Sequence, residues 1–388
     1  MTRARAIALG GFALLALTAC KTSSPSDGGT DGGLEDQGAP DGGPVDAGGP
    51  DAGPMDAAPP DMAAPDAGLE DSGVDMPPAA CIGPPGLYTD ADCSVLAADV
   101  RPFTPRFELW SDGADKERFV YLPPGSQIDT TDPDRWGFPA GTRLYKTFAR
   151  DGVRLETRVF EKLLTAQGPE SWTMRSWQWS ADQLSVSEVG PFGETDMLGT
   201  THDIPTRGAC VECHSAAQDD VVMGFSAIQL AHSGPGVTLD ELVAGGWLST
   251  PITSADAAIP GDATTQAALG YLHANCGNCH GGPTPERDLV FWLPVGSSSA
   301  ETAPPFTTSV CVCSEWVGAG PGGESVELRV APGDSLRSVV AHRMGSRERD
   351  TKMPPLATEL VDTAGRAQVI DWIDSLPADA GGCPTVCP

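Results

Sequence analysis

The sequence predicts an α+β protein: a β-rich N-terminal domain followed by a mainly α-helical region. Three observations predict this. Between residues 101 and 200, strand-length segments that mix apolar and polar residues alternate with turn residues; Asp151-Gly152 separates Arg143–Phe148 from Val153–Phe160. Towards the C-terminus, apolar residues fall at helical spacing, as at Val369, Trp372, Ile373 and Leu376. Within the second region, two strings repeat one pattern, C-x-x-C-H: Cys210-Val211-Glu212-Cys213-His214 and Cys276-Gly277-Asn278-Cys279-His280.

In chain order, residues 1–19 read as an export signal. Arg3 and Arg5 precede an apolar run, Ile7 to Leu17, that is too short to span a bilayer. Leu17-Thr18-Ala19-Cys20 resembles a bacterial lipobox, which implies cleavage before Cys20 and lipid on its thiol; the alternative is an ordinary signal peptide cut near Ala19. Lys21 stands where an inner-membrane retention signal would have Asp. The expected location is therefore an anchored lipoprotein on the periplasmic side or cell surface, with the outer membrane favoured.

Residues 20–80 are expected to form a disordered tether. They are almost wholly Asp, Gly, Ala and Pro, with Asp at every fifth position from Asp31 to Asp71. Such a segment is too polar and too small in its side chains to bury a core. Extended, it would reach about 200 Å. A calcium-binding reading of the Asp array lacks the bidentate Glu that such loops use.

The β-rich domain is placed at 81–204. Besides the hairpin, Trp172–Ser180 and Leu184–Val189 read as strands, with breaks at Pro123-Pro124-Gly125 and Pro139-Ala140-Gly141. Trp172, Trp177 and Trp179 are expected to be core rather than a binding surface. A first motif segment is placed at 205–260, with a short helix at Asp240–Gly245. The last domain is placed at 261–388. There Asp262 caps a helix running into the second motif, Ser335–Met344 reads as a helix, and Asp362 or Thr363 caps a final helix stopped by Pro377.

The two motifs carry the chemistry. Thiols at this spacing form thioethers to the two vinyl groups of one haem, and the histidine that follows is held under the iron. Two covalently attached haem c groups are expected, through Cys210 and Cys213 with His214, and through Cys276 and Cys279 with His280. A zinc ribbon also pairs C-x-x-C units, but with a far shorter gap and without the extra histidines. Candidates for the sixth ligand of the first iron are Met223 and His232, then His202. If none binds, the open position would admit small ligands such as peroxide.

The chain has eleven Cys. With Cys20 and the motif cysteines assigned, Cys81, Cys93, Cys311, Cys313, Cys383 and Cys387 remain, enough for three disulfides in an exported chain. Cys81–Cys93 and Cys383–Cys387 are the local pairings, whereas Cys311 and Cys313 are close enough in sequence that each is expected to seek a distant partner.

The order of helix, Cys276-Gly277-Asn278-Cys279-His280, Lys352-Met353-Pro354-Pro355 and terminal helix resembles the class I cytochrome c domain. That resemblance implies His280 as proximal and Met353 as distal ligand; His342, on the Ser335–Met344 helix, is the rival and is expected to be exposed or hydrogen-bonded instead. Gly270 or Ala267 would let the two helices approach. More widely, Leu109-Trp110-Ser111-Asp112-Gly113-Ala114-Asp115-Lys116, Tyr121-Leu122-Pro123-Pro124-Gly125, Phe138-Pro139-Ala140-Gly141-Thr142, Glu156-Thr157-Arg158, Gly224-Phe225, Gln229-Leu230, Tyr271-Leu272, Asn275 and Met353-Pro354 occur in the order of a family of bacterial dihaem c-type cytochromes. The resemblance covers about Arg106 to Leu376 and implies a β-rich part, two haems and export.

Net charge is −29, which disfavours nucleic acid as a partner and favours a basic or neutrally docking one. The expected function is single-electron transfer between redox proteins, with a dehydrogenase or a membrane electron-transport component as partner and the membrane itself reached through the N-terminal lipid. The alternatives are a peroxidase-like dihaem enzyme with an open first site, and a module whose β-rich part docks a protein or polymer.

Overall fold

The computed structural model describes residues 81–215, 220–282, 288–320, 323, 325–355, 358–378, 382–384 and 386–387. The export signal, Cys20 and the tether lie outside the described residues.

Six strands form one antiparallel sheet in sequence order: β1 (Val100–Pro102), β2 (Asp115–Tyr121), β3 (Arg143–Arg150), β4 (Val153–Lys162), β5 (Trp172–Trp179) and β6 (Val186–Glu188). The β3–β4 turn is the expected Asp151-Gly152, both at positive φ (50° and 79°), the conformation that matches strand twist in a tight hairpin. Both faces of the sheet are buried. Phe119, Tyr145, Val159 and Trp177 pack on one side beneath Leu87, in a segment closed by the Cys81–Cys93 disulfide. Val120, Phe160, Trp172 and Met174 face the other side and join a core that continues to Val369, Trp372 and Ile373 near the C-terminus. Trp172, Trp177 and Trp179 are all buried, as expected of core residues.

The helices are α1 (Arg207–His214), α2 (Ala227–Leu230), α3 (Leu239–Ala244), α4 (Ala263–Asn275), α5 (Pro304–Thr307), α6 (Val339–Gly345) and α7 (Thr363–Ser375). Thr206, Thr238, Asp262 and Asp362 cap α1, α3, α4 and α7, each side chain accepting from a backbone N–H in the first turn. A hairpin of β7 (Cys313–Ala319) and β8 (Ser325–Leu328) lies between α5 and α6. Among the described residues, no helix is long and apolar enough to cross a membrane.

The C-terminal region is not the mainly helical cytochrome-like domain that the sequence predicts. Its helices have 13, 4, 7 and 13 residues, and the rest is hairpin and irregular chain. The reason is local. Between α4 and α6 the sequence carries Pro294, Gly296, Ser297-Ser298-Ser299, Pro304-Pro305, Gly318 and Gly320, residues that favour turns and break helices. The Ser335–Met344 helix is likewise split. Ser338 is extended, with its hydroxyl donating to Asp334 O (2.9 Å) and accepting from Ala331 N (2.8 Å), so a 3-10 turn precedes α6.

α4 and α7 pack together, but the glycine that admits the contact is Gly365 on α7. A Cβ there would stand 2.0 Å from the Tyr271 ring. Gly270 instead makes room for Phe107, whose ring would lie 2.2 Å from a Cβ. Gly365→Ala is expected to cost about 1–3 kcal/mol through overpacking, read as a lower midpoint in urea unfolding. An unchanged midpoint would mean that the two helices part freely.

Two further disulfides join Cys311 to Cys383 and Cys313 to Cys387, with Cα separations of 4.4 and 5.6 Å. The local Cys383–Cys387 pairing does not form, because the tail runs back beside the start of β7 and each of its cysteines meets one there. Cys311 and Cys313 do each take a distant partner.

Candidate functional site

The first motif occupies α1, whose last turn ends at His214 against the sheet. The cross-strand register stacks the face it meets into rows. Val120, Leu144, Phe160 and Met174 form an apolar row; Arg118, Lys146 and Arg158 stand directly opposite one another in the next. The His214 ring packs edge-on against Phe160 (centroids 4.5 Å apart). Its Nδ1–H donates to Val221 O (2.7 Å), which leaves the lone pair on Nε2, the arrangement that orients a metal-binding imidazole. Burial lowers the His214 pKa to about 3, so the ring is neutral and able to coordinate.

A cleft continuous with solvent opens beside it. His214, Met223, Phe160 and all three cations of the row line it. Directly opposed like charges repel. Glu108 accepts from Arg118 (2.9 Å), and Glu156 takes two hydrogen bonds from Arg158 (2.7 and 3.0 Å). The Arg158 guanidinium and the His202 hydrogen bond hold Glu156 at a pKa of about 2 against its own burial. Among the described residues, Lys146 between the two arginines has no carboxylate within ion-pair reach; burial, then Arg118 and Arg158, push its pKa well below the ordinary lysine value.

The Val221 carbonyl is held by its neighbour. Asp220 is 2% exposed and accepts from Lys162 Nζ, from Trp172 Nε1 (2.8 Å) and from Phe138 N (2.6 Å). Val221 itself sits at φ 53°, an uncommon conformation for a β-branched residue that persists only where its surroundings enforce it.

The structure separates the candidates for the sixth position. Met223 lies on the His214 cleft. His232 is committed elsewhere: its Nε2–H donates to Thr104 O (2.7 Å), and its Nδ1 accepts from Gly234 N (2.9 Å). His202 is buried, with Nε2 on Glu156 (3.1 Å).

The second motif follows α4. His280 Nδ1–H donates to Leu289 O (3.2 Å), and Phe291 stands edge-on to the ring (5.8 Å), so the surroundings of His214 recur. Gly277 is required here: a Cβ would meet His273 O at 2.5 Å. His273 accepts from Leu293 N (3.1 Å) and packs on Trp292; burial lowers its pKa to about 4. Asp134, from the chain between β2 and β3, accepts from Trp292 Nε1 (3.1 Å) and Val295 N (3.0 Å).

Met353 lies after α6, with its N–H on Arg343 O (3.1 Å). Its loop is tied towards the second motif: Asp112 accepts from Glu359 N and Leu360 N, and Trp110 Nε1–H donates to Leu360 O. His342 lies beside Trp316 (5.1 Å). The four motif cysteines are outside the three disulfides. Among the described residues, no cluster of three or more His, Cys, Asp or Glu side chains is placed to hold a metal ion.

Comparison with protein-family models, with curated proteins and with solved structures finds no match.

The donor sets fit haem. Each site offers two cysteines and an imidazole turned by a backbone carbonyl, and the first adds a thioether sulfur and a cationic wall suited to carboxylates. Sequence reasoning missed the cation row and Asp220. Arg118, Lys146 and Arg158 carry no local signal of convergence, since strand register alone aligns them. Thr206 before the first motif was a readable cap for α1.

Proposed function

We propose that this chain is an exported c-type cytochrome that holds two haems covalently and carries single electrons between redox proteins. The observation that carries the reading is the repeated setting of His214 and His280: each follows a C-x-x-C pair and gives its Nδ1–H to a backbone carbonyl. When bound, haem supplies a one-electron ferric/ferrous couple whose potential follows axial ligand, charge and burial.

The residues of this chain divide the work. Cys210 and Cys213, and Cys276 and Cys279, are the thioether positions. His214 and His280 present Nε2, while Val221 O and Leu289 O fix ring orientation. Met223 and Met353 are the sulfur donors of the reading, and a thioether ligand favours reduced iron. Arg118, Lys146 and Arg158 would receive the carboxylates of a haem held there, and Phe160 and Leu144 would screen it from water. The net charge of −29 favours basic or neutrally docking partners. Cys20 would carry the lipid that keeps the protein at a membrane, the outer membrane favoured.

The test is a pyridine haemochrome count on protein exported through a haem-attaching compartment, with two haems per chain expected. A chain that matures with none would overturn the reading. Met353→Ala is expected to diminish the long-wavelength charge-transfer band of ferric His/Met ligation while both haems remain attached, the remainder belonging to Met223; an undiminished band would remove Met353 as a ligand.

A further inference from the structure

The Leu109–Lys116 string has no role yet, and it lies where the two motif sites meet. Pro105 and Leu109 line the His214 cleft. From the same segment, Trp110 N–H donates to Asn275 Oδ1 (2.7 Å) and Glu108 O accepts from Asn275 Nδ2 (3.1 Å), one residue before Cys276. Phe107 fills the space above Gly270 on α4. The segment is itself fastened to the sheet, Leu109 O accepting from Lys116 Nζ (2.8 Å) and Asp112 O from Arg150 (2.6 Å). One stretch of backbone therefore walls the first site and buttresses the second.

We propose that residues 105–112 hold the two haem sites as immediate neighbours, so that an electron received at one would pass to the other within the chain. The basis is that one stretch of backbone sets the spacing of both sites, with Leu109 on the cleft of the first and Trp110 N–H on Asn275, beside Cys276 of the second. The transfer is a one-electron exchange: the iron at one motif is oxidised as the iron at the other is reduced. The proposal rests on the two-haem reading and deepens it by making the haems a coupled pair.

The test uses the full chain matured with its haems. The pyridine haemochrome count comes first, because any count other than two overturns the underlying reading. With two haems present, the Soret circular dichroism of the oxidised protein is expected to be a bisignate couplet whose amplitude per chain is unchanged on dilution. Single-signed bands, or a couplet that fades on dilution, would overturn the neighbour arrangement and leave the two-haem reading standing. Asn275→Ala, which removes both ties to the segment, is expected to diminish the couplet at a count of two; an undiminished couplet would overturn the role of residues 105–112. Should that variant not retain two haems, Phe107→Ala, which removes the ring that fills the space above Gly270 on α4, reads the same couplet with the same two outcomes.

Discussion

Asp220→Asn is expected to destabilise the protein by about 3–5 kcal/mol, the cost of leaving one member of a buried ion pair without its partner. Lys162 and Asp220 are both almost wholly inaccessible, at 1% and 2% exposure, and removing the carboxylate charge leaves the Lys162 ammonium in the core. The asparagine keeps its shape and can still accept from Trp172 Nε1 or Phe138 N, so the loss is chiefly electrostatic. Adding Lys162→Met is expected to restore much of the stability, because a buried pair replaced as a unit by groups of similar volume is often neutral. Urea unfolding of the two single variants and the double variant measures the effect. If the double variant is as unstable as Asp220→Asn, charge is not the cause. The neighbouring Val221, at positive φ, supplies the carbonyl for His214, so the same variant is expected to shift the reduction potential of the first haem before unfolding sets in.

Replacing both Cys276 and Cys279 by alanine is expected to lower covalent haem from two per chain to one. On the two-haem reading the thioethers would be the only covalent links at that site, whereas the protein frame around it has its own support. Leu269 and Leu272 of α4 and Val369, Trp372 and Ile373 of α7 belong to the shared core, and burial of each large apolar side chain contributes about 1.5–3 kcal/mol. The remaining site, with Cys210, Cys213 and His214, should load as before. Haem absorbance per protein mass under denaturing conditions reads the count directly. A count that stays at two would show attachment outside the motifs, and a count of none would mean that the two sites mature together. The reciprocal variant, with Cys210 and Cys213 replaced, should give the same halving.

What the sequence made legible was local. The Asp151-Gly152 turn, the Asp262 cap and the two C-x-x-C-H strings each depend on residues a few positions apart, and the structure forms the turn and the cap as expected. The Cys81–Cys93 bridge, over a separation of 12 residues, was equally readable. β2 was not foreseen, because Lys116 and Arg118 occupy inward positions and disguise the alternation that marks a strand; ion pairs with Glu108 make those inward charges tolerable. The cationic row was invisible for a related reason, as pairing across β2, β3 and β4 creates it. The helical expectation for the C-terminal region failed through extrapolation: α4 and α7 carry genuine helical periodicity, but the chain between them is ruled by Pro, Gly and Ser and by two long-range disulfides. His232 looked like a ligand because a histidine's hydrogen bonds to distant backbone, here Thr104 O, leave no trace in sequence.

Those two disulfides have a further consequence. They fasten the tail to the start of β7 across separations of 72 and 74 residues, and Met353, α6 and α7 all lie inside the loops they close. The stretch is a covalent ring. A protease that cut the backbone once, anywhere from 314 to 382, would release nothing, and the fragments would stay yoked at two points. The methionine loop thus sits on a part of the molecule that can be severed without being shed.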